Sequence, residues 1–138
     1  MLKVFTDPQL FEQIIVNLLS NARYAVDKKE KEMPKIENQH PKYQKRVIIS
    51  IFEESNRFIV LKVSDNGIGM TKDEKHSCMD PFFTTKNVGE GTGLGLSIVR
   101  NIVKEFSGTL IIESQQHFGT DVIISIPVHL NNGVTYES

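Results

Sequence analysis

A chain of 138 residues, 39% hydrophobic and 24% charged, is long enough to bury one core without disulfides or metal staples, and its length argues for one domain. Its 16 basic and 17 acidic residues balance, which excludes the strong field that would draw nucleic acid or anionic lipid. A single cysteine, Cys78, cannot close an internal disulfide and fits a reducing compartment, and no apolar run reaches the ~18 residues of a membrane span or forms a signal peptide. Cys78 has no basic cluster or second cysteine nearby in sequence, so a small half-buried side chain is favoured over a reactive thiol.

After a short apolar piece, Thr6-Asp7-Pro8 reads as a helix start, with Asp7 the N-cap and Pro8 at the first helical position. Leu10, Phe11, Ile14, Ile15, Leu18, Leu19, Ala22, Ala25 and Val26 recur at helical spacing and form one broad buried face. Gln13, Asn17, Asn21 and Tyr24 fall in a row beside it, either as a ligand row at a cavity or as edge amides bonded to solvent and backbone. Arg23 and Asp27 point outward. Residues 28–46 turn polar, with two prolines and no sustained period, and read as an exposed, mobile insertion. Residues 47–53 and 58–64 are two alternating strands joined by a hairpin-length turn. In the second, Ile59, Leu61 and Val63 share one face, and Asp65 ends that core-facing row with a carboxylate that needs a donor.

Gly67 and Gly69 follow, able to pass close to something flat, although an Asx-type turn closing a strand explains the same residues. Thr71 then caps a short helix with Glu74 at the capping-box position. Two phenylalanines and Lys86 precede the glycine-laden residues 89–95, so the stretch 71–95 has the composition of a hinged lid. A helix follows with Gly95, Leu96, Val99, Ile102, Val103 and Phe106 on one face, ending near Ser107-Gly108. Strands over 109–114 and 121–128 come next, then a frayed tail over 131–138. His40, His76, His117 and His129 all read as surface or loop residues.

Glycines feeding a helix N-terminus make an anion site, because free N–H groups and the helix dipole both favour phosphate. The loop is not a Walker loop, since Leu96-Ser97-Ile98 stands where a lysine and a hydroxyl residue should follow the last glycine. Nor does it close a strand in a βαβ unit, which disfavours the dinucleotide fold.

Four motifs, NLLSNA at 17–22, DNGIGM at 65–70, PFFTTK at 81–86 and GTGLGLSIV at 91–99, together resemble the ATP-binding catalytic domain of sensor histidine kinases, in order and almost throughout the chain. That family is similar in fold to gyrase-type, mismatch-repair and chaperone ATPases. The resemblance implies a two-layer α/β sandwich of the Bergerat type over 1–130, with helices on one face of a mixed sheet and a mobile ATP lid. It implies ATP and Mg²⁺ as ligands, Asp65 as acceptor for the adenine amino group, and Gly67 and Gly69 shaping the base pocket. It implies Asn21 as the Mg²⁺ ligand with Asn17 beside it, an amide oxygen being suited to a hard cation already balanced by phosphates. Gly91, Thr92, Gly93, Leu94 and Gly95 would meet the phosphates, Lys86 would reach them as the lid closes, and Thr120 would be an adenine-side polar contact. Asn17, Asn21 and Lys86 would stand nearest the phosphoryl chemistry.

The implied partners are a histidine-bearing dimerisation hairpin and a downstream response-regulator receiver domain, with no nucleic acid. The domain itself is expected to be monomeric and cytoplasmic, whether or not its parent is membrane-anchored. Departures from the family pattern are Tyr24 in place of a frequent lysine, Met79-Asp80 in place of Phe-Glu, and a long 28–46 segment. Two other readings stay open, a gyrase- or chaperone-type clamp ATPase and a stand-alone serine kinase. The clamp ATPases carry a general-base Glu four residues before the magnesium Asn, where this chain has Asn17, and an amide cannot take a proton from water.

Overall fold

The computed structural model describes residues 3–4, 7–33, 43–80 and 95–129. Helix α1 (Pro8–Glu32) begins as its sequence predicts: Asp7 is extended and its carboxylate accepts from the Gln9 N–H at 2.8 Å. Ile14, Leu18, Ala22 and Val26, spaced by one turn each, are its buried row. The helix runs further than expected, because Lys28 through Glu32 continue it instead of opening the insertion. Lysine and glutamate are good helix formers, Lys28 reaches Glu32 one turn on at 3.9 Å, and Lys29 and Lys31 complement the C-terminal dipole.

Strands β2 (Val47–Glu54) and β3 (Phe58–Asp65) form the expected hairpin, paired from Val47 opposite Asp65 to Glu54 opposite Phe58. Ser55 and Asn56 both take positive φ, 56° and 55°, the requirement of a tight turn that matches strand twist. The short α2 (Lys72–Ser77) carries the predicted capping box, Thr71 Oγ1 accepting from Glu74 N at 3.1 Å.

Helix α3 (Gly95–Glu105) stops in a Schellman arrangement, with Gly108 N donating to Val103 O at 2.9 Å and Ser107 N to Lys104 O at 3.0 Å. The left-handed residue is Ser107 (φ 56°) and not Gly108, whose missing Cβ instead avoids the Ser125 carbonyl, which would lie 2.5 Å away.

Strands β4 (Thr109–Gln115) and β5 (Gly119–His129) complete the sheet together with the two-residue β1 (Lys3–Val4). The order is β1-β5-β3-β2, with β4 also paired to β5, so β5 carries β3 on one flank and β4 and then β1 on the other. Every pairing is antiparallel, so among the described residues the sheet is not the mixed one expected. β2–β3 and β4–β5 are hairpins on short turns, which permit no other direction, and β1 and β3 both run against β5.

The two-layer α/β sandwich itself is present. Leu61 and Val63 of β3, Ile112 of β4, and Val122, Ile124 and Ile126 of β5 face Ile14, Leu18 and Ala22 of α1 and Val99, Ile102 and Val103 of α3. Each such valine, leucine or isoleucine side chain, when fully buried, contributes about 1.5 to 3 kcal/mol. Cys78 is buried at the edge of this core, its thiol donates to Lys75 O at 3.1 Å, and burial pushes its pKa up, which fits an inert packing role.

Candidate functional site

Asp65 closes β3 directly opposite Thr120, on the face that the helices cover. Its carboxylate accepts the backbone N–H of Gly67 at 2.9 Å, and the Thr120 N–H also points to it. Burial nevertheless dominates: the carboxyl pKa is raised to about 6, with those two N–H groups and Lys29 pulling downward and Asp121 adding to the rise. The Thr120 hydroxyl lies 2.7 Å from Ser114 Oγ, which in turn accepts from Met70 N at 2.9 Å and reaches Gly119 O at 3.2 Å. The expected partners Asp65 and Thr120 are therefore brought together. Ser114 is an addition that strand periodicity alone did not single out.

The loop after Asp65 threads between two backbones. Ile68 N donates to Ala25 O of α1 at 3.0 Å, and Ile68 O accepts from His117 N in the β4–β5 turn. A Cβ on Gly67 would sit 2.5 Å from the Ala25 carbonyl carbon, and one on Gly69 (φ 66°) would strike the Gln115 carbonyl oxygen. These glycines are thus required by the protein's own packing, and they hold Asp65 where it is. Gly119 (φ 135°) is the third of the set, since a Cβ there would strike the Asp65 carbonyl oxygen.

Residues 43–46, read from sequence as part of a mobile insertion, are pinned behind this loop. Asn66 Nδ2 donates to Gln44 O at 2.8 Å, its Oδ1 accepts from Arg46 N at 2.8 Å, and Tyr43 donates to the Asn66 carbonyl at 2.8 Å. Lys29 lies 4.9 Å above the Tyr43 ring and donates to His117 O at 2.7 Å, and Lys45 pairs with Asp27 at 3.1 Å and Glu30 at 3.5 Å. The signal for Tyr43 and Lys29 is long-range and has no local period. The middle of the expected insertion, 34–42, lies outside the described residues.

At the other end of the site, Asn21 lies against the first residue of α3. Among the described residues, a Cβ added to Gly95 would meet the Asn21 amide at 3.4 Å and no closer atom, an ordinary contact, so their packing does not demand this glycine. This glycine sets the Asn21 amide beside a helix N-terminus. One turn back on α1, Asn17 Nδ2 is buried with no hydrogen-bond partner, and such an orphan costs roughly 1 to 3 kcal/mol unless a ligand satisfies it. Gln13, from the same row, is exposed. Lys86, Gly91, Thr92, Gly93 and Leu94, with most of the expected lid and the tail 131–138, lie outside the described residues.

The geometry therefore has two ends, a buried carboxylate with polar neighbours, and the Asn21 amide beside a glycine-led helix with the buried Asn17 amide one turn back. A profile of histidine kinase-, DNA gyrase B- and HSP90-like ATPases matches residues 6–130. The chain belongs to this ATPase family. Sensor histidine kinase ZraS of Escherichia coli K12 is 32% identical over 128 residues, covering 93% of this chain and 24% of ZraS. Sensor kinase CckA of Brucella abortus is 36% identical over 117 residues, 85% of this chain and 12% of CckA. The chain thus spans a quarter or less of these relatives. Among solved structures, the catalytic domain of histidine kinase ThkA is 28% identical with a TM-score of 0.67, covering 90% of this chain and 71% of that one.

ATP is the family's ligand, and the residues fit it: a carboxylate for an amino group at one end, and an amide beside a glycine-led helix N-terminus at the other. Among the described residues no group of three or more His, Cys, Asp and Glu could hold a metal ion.

Proposed function

We propose that the chain is the ATP-binding catalytic domain of a sensor histidine kinase, which passes the γ-phosphoryl group of Mg-ATP to a histidine on a helical dimerisation hairpin outside the chain. A response-regulator receiver domain would take the phosphoryl group next. Asp65 accepts the adenine amino group, with Thr120 beside it and with Gly67 and Gly69 holding its loop. Asn21 and Asn17 hold Mg²⁺, which supplies charge neutralisation across the phosphates when bound. The N–H groups of residues 91–95 bind phosphate, and Lys86 contacts it. The reading places the domain in the cytoplasm, which suits a balanced charge and one buried cysteine. No described helix is long and apolar enough to cross a membrane.

The observation that carries kinase over clamp ATPase is Asn17. By the resemblance it stands where the clamp enzymes carry a general-base Glu, and an amide cannot take a proton from water. A histidine acceptor needs no such base, because a neutral imidazole nitrogen already offers a lone pair in line with the γ-phosphorus.

The test is incubation with γ-labelled ATP, with and without a matching dimeric hairpin. The expected outcome is very slow turnover and no self-labelling by the chain alone, and acid-labile, base-stable label on the hairpin. Steady hydrolysis at about 1 s⁻¹ without acceptor would overturn the reading in favour of the clamp.

A further inference from the structure

We propose that β2 is a self-complementary edge through which two copies of this chain pair and join their sheets. The strand ends the sheet order, and among the described residues only β3 pairs with it. Natural edges are usually blunted by a lysine, a proline or a bulge, but Val47-Ile48-Ile49-Ser50-Ile51-Phe52 contains none. Its side chains are exposed on both faces of the sheet: Ile49 at 46% and Ile51 at 60% on the helix side, Ile48 at 48% and Phe52 at 47% on the other.

The hydrogen-bond phase identifies the free groups. Asn66 N donates to Arg46 O, and Arg46 lies one step beyond the Val47–Asp65 pair, so the even-numbered residues of β2 direct their N–H and C=O groups toward β3. Val47, Ile49, Ile51 and Glu53 therefore present theirs to the open edge.

An antiparallel partner related by a two-fold axis normal to the sheet keeps each face on its own side, so even residues meet even and odd meet odd. With the axis through Ser50, Ile49 faces Ile51 of the second copy, Ile48 faces its Phe52, and Arg46 faces its Glu54. Each of these pairs occurs twice. Val47 is the only apolar residue that meets a polar one, Glu53. Moving the axis to Ile49 sets Ile48 against Ser50 and Arg46 against Phe52, and moving it to Ile51 sets Ile49 against Glu53. The strand is close to a palindrome about Ser50, apolar at the centre and of opposite charge at its two ends. That pattern commits the occupant to a second copy and fixes the register. The inference departs from the monomer expected from sequence, and it does not depend on the phosphotransfer reading.

An interface of one strand pair is small, so dimerisation in the range of tens to hundreds of micromolar is expected. Sedimentation equilibrium of the full chain should show a reversible monomer–dimer equilibrium there. Arg46→Glu and Glu54→Arg should each weaken it about tenfold, since two attractive pairs become repulsive. An equimolar mixture of the two variants should regain it, because position 46 of either variant then meets the opposite charge at position 54 of the other.

Ser50→Cys should form a disulfide dimer under mild oxidation, its position being a close non-hydrogen-bonded pair on the axis, whereas the wild type with its buried Cys78 should not. A chain still monomeric at several hundred micromolar, a dimer indifferent to both charge reversals, or no cross-link in the Ser50→Cys variant would each overturn the proposal.

Discussion

The two ends of the candidate site are finished to different degrees. Around Asp65 the backbone is over-determined: three glycines are wedged against carbonyl groups of neighbouring elements, and Asn66 is held by residues 43–46. At the other end Asn21 lies in ordinary contact with the position of Gly95, and the Asn17 amide is buried without a hydrogen-bond partner. On the proposed reading, base recognition is preformed and included in the stability of the fold, whereas the buried Asn17 amide waits for a ligand acceptor to satisfy it.

The largest effect that can break this comparison comes from exchanging one glycine at each end for alanine. Gly69→Ala puts a Cβ into the Gln115 carbonyl at a positive φ, and neither backbone can yield without moving β4 or the loop of Asp65. A loss on the order of 4 kcal/mol or complete failure to fold is expected. Gly95→Ala meets only the Asn21 amide at 3.4 Å and gains helix propensity, so it should fold at least as well as the wild type and lose nucleotide affinity. Thermal denaturation beside calorimetry distinguishes the two, and equal melting temperatures would show that the base end is not over-determined.

Asp65 carries the next largest effect, with opposite signs for binding and for stability. Asp65→Ala should weaken ATP binding by about 1.5 to 3 kcal/mol, the range of a charge-assisted hydrogen bond. An affinity within threefold of wild type would remove Asp65 from the site. Asp65→Asn should make the nucleotide-free chain more stable at neutral pH. The carboxyl titrates near 3.8 when unfolded and about 6 when folded, so the native state holds the proton more tightly. Its contribution is favourable below the unfolded value and is lost as pH rises through about 6, where a desolvated charge remains. The advantage of the Asp65→Asn variant should therefore be full above about pH 7 and shrink toward about pH 4 in urea titrations. Nucleotide binding runs the other way and weakens in the wild type as pH falls below about 6, because the adenine amine needs the ionised acceptor.

At the phosphate end, Asn21→Ala should remove about tenfold of affinity in Mg²⁺ and little in its absence, since one metal ligand is lost and the base contacts stay. Equal losses with and without Mg²⁺ would make Asn21 a structural residue of the α1–α3 contact.

What could be read from sequence was whatever is local. Asp7 and Thr71 as caps, the β2–β3 hairpin, and Asp65 at the end of a core-facing row each depend on residues within one turn or one strand of each other. The extension of α1 was legible too, in the good helix formers Lys28 to Glu32, but the polar run was read as a single loop. Two features were beyond reach for a physical reason. The glycines of the 65–70 motif suggest close approach to a ligand, yet what approaches is Ala25 and Gln115, distant in sequence. Alternation in β2 implies one buried face, but burial also requires a covering layer, and the helices do not cover Ile49 and Ile51 at the sheet's edge.

The smallest expected effect tests whether the base end owes its order to the clamp behind it. Tyr43→Phe keeps the ring that Lys29 lies over and removes only the hydroxyl, with its bonds of 2.8 Å to the Asn66 carbonyl and 3.1 Å to Asn66 Oδ1. The site is partly exposed, so about 1 kcal/mol of stability should be lost, seen as a fall of about 3 °C in melting temperature. Asn66 remains held by Arg46 N and Gln44 O, so Asp65 should shift only slightly and nucleotide affinity should fall about two- to threefold, each retained hydrogen bond contributing on the order of 1 kcal/mol. A lower melting temperature with unchanged affinity would mean that Tyr43 stabilises the fold without positioning Asp65. A tenfold loss would mean that the phenol touches the nucleotide itself, and the preformed base end would then extend outward to include the segment read from sequence as a mobile insertion.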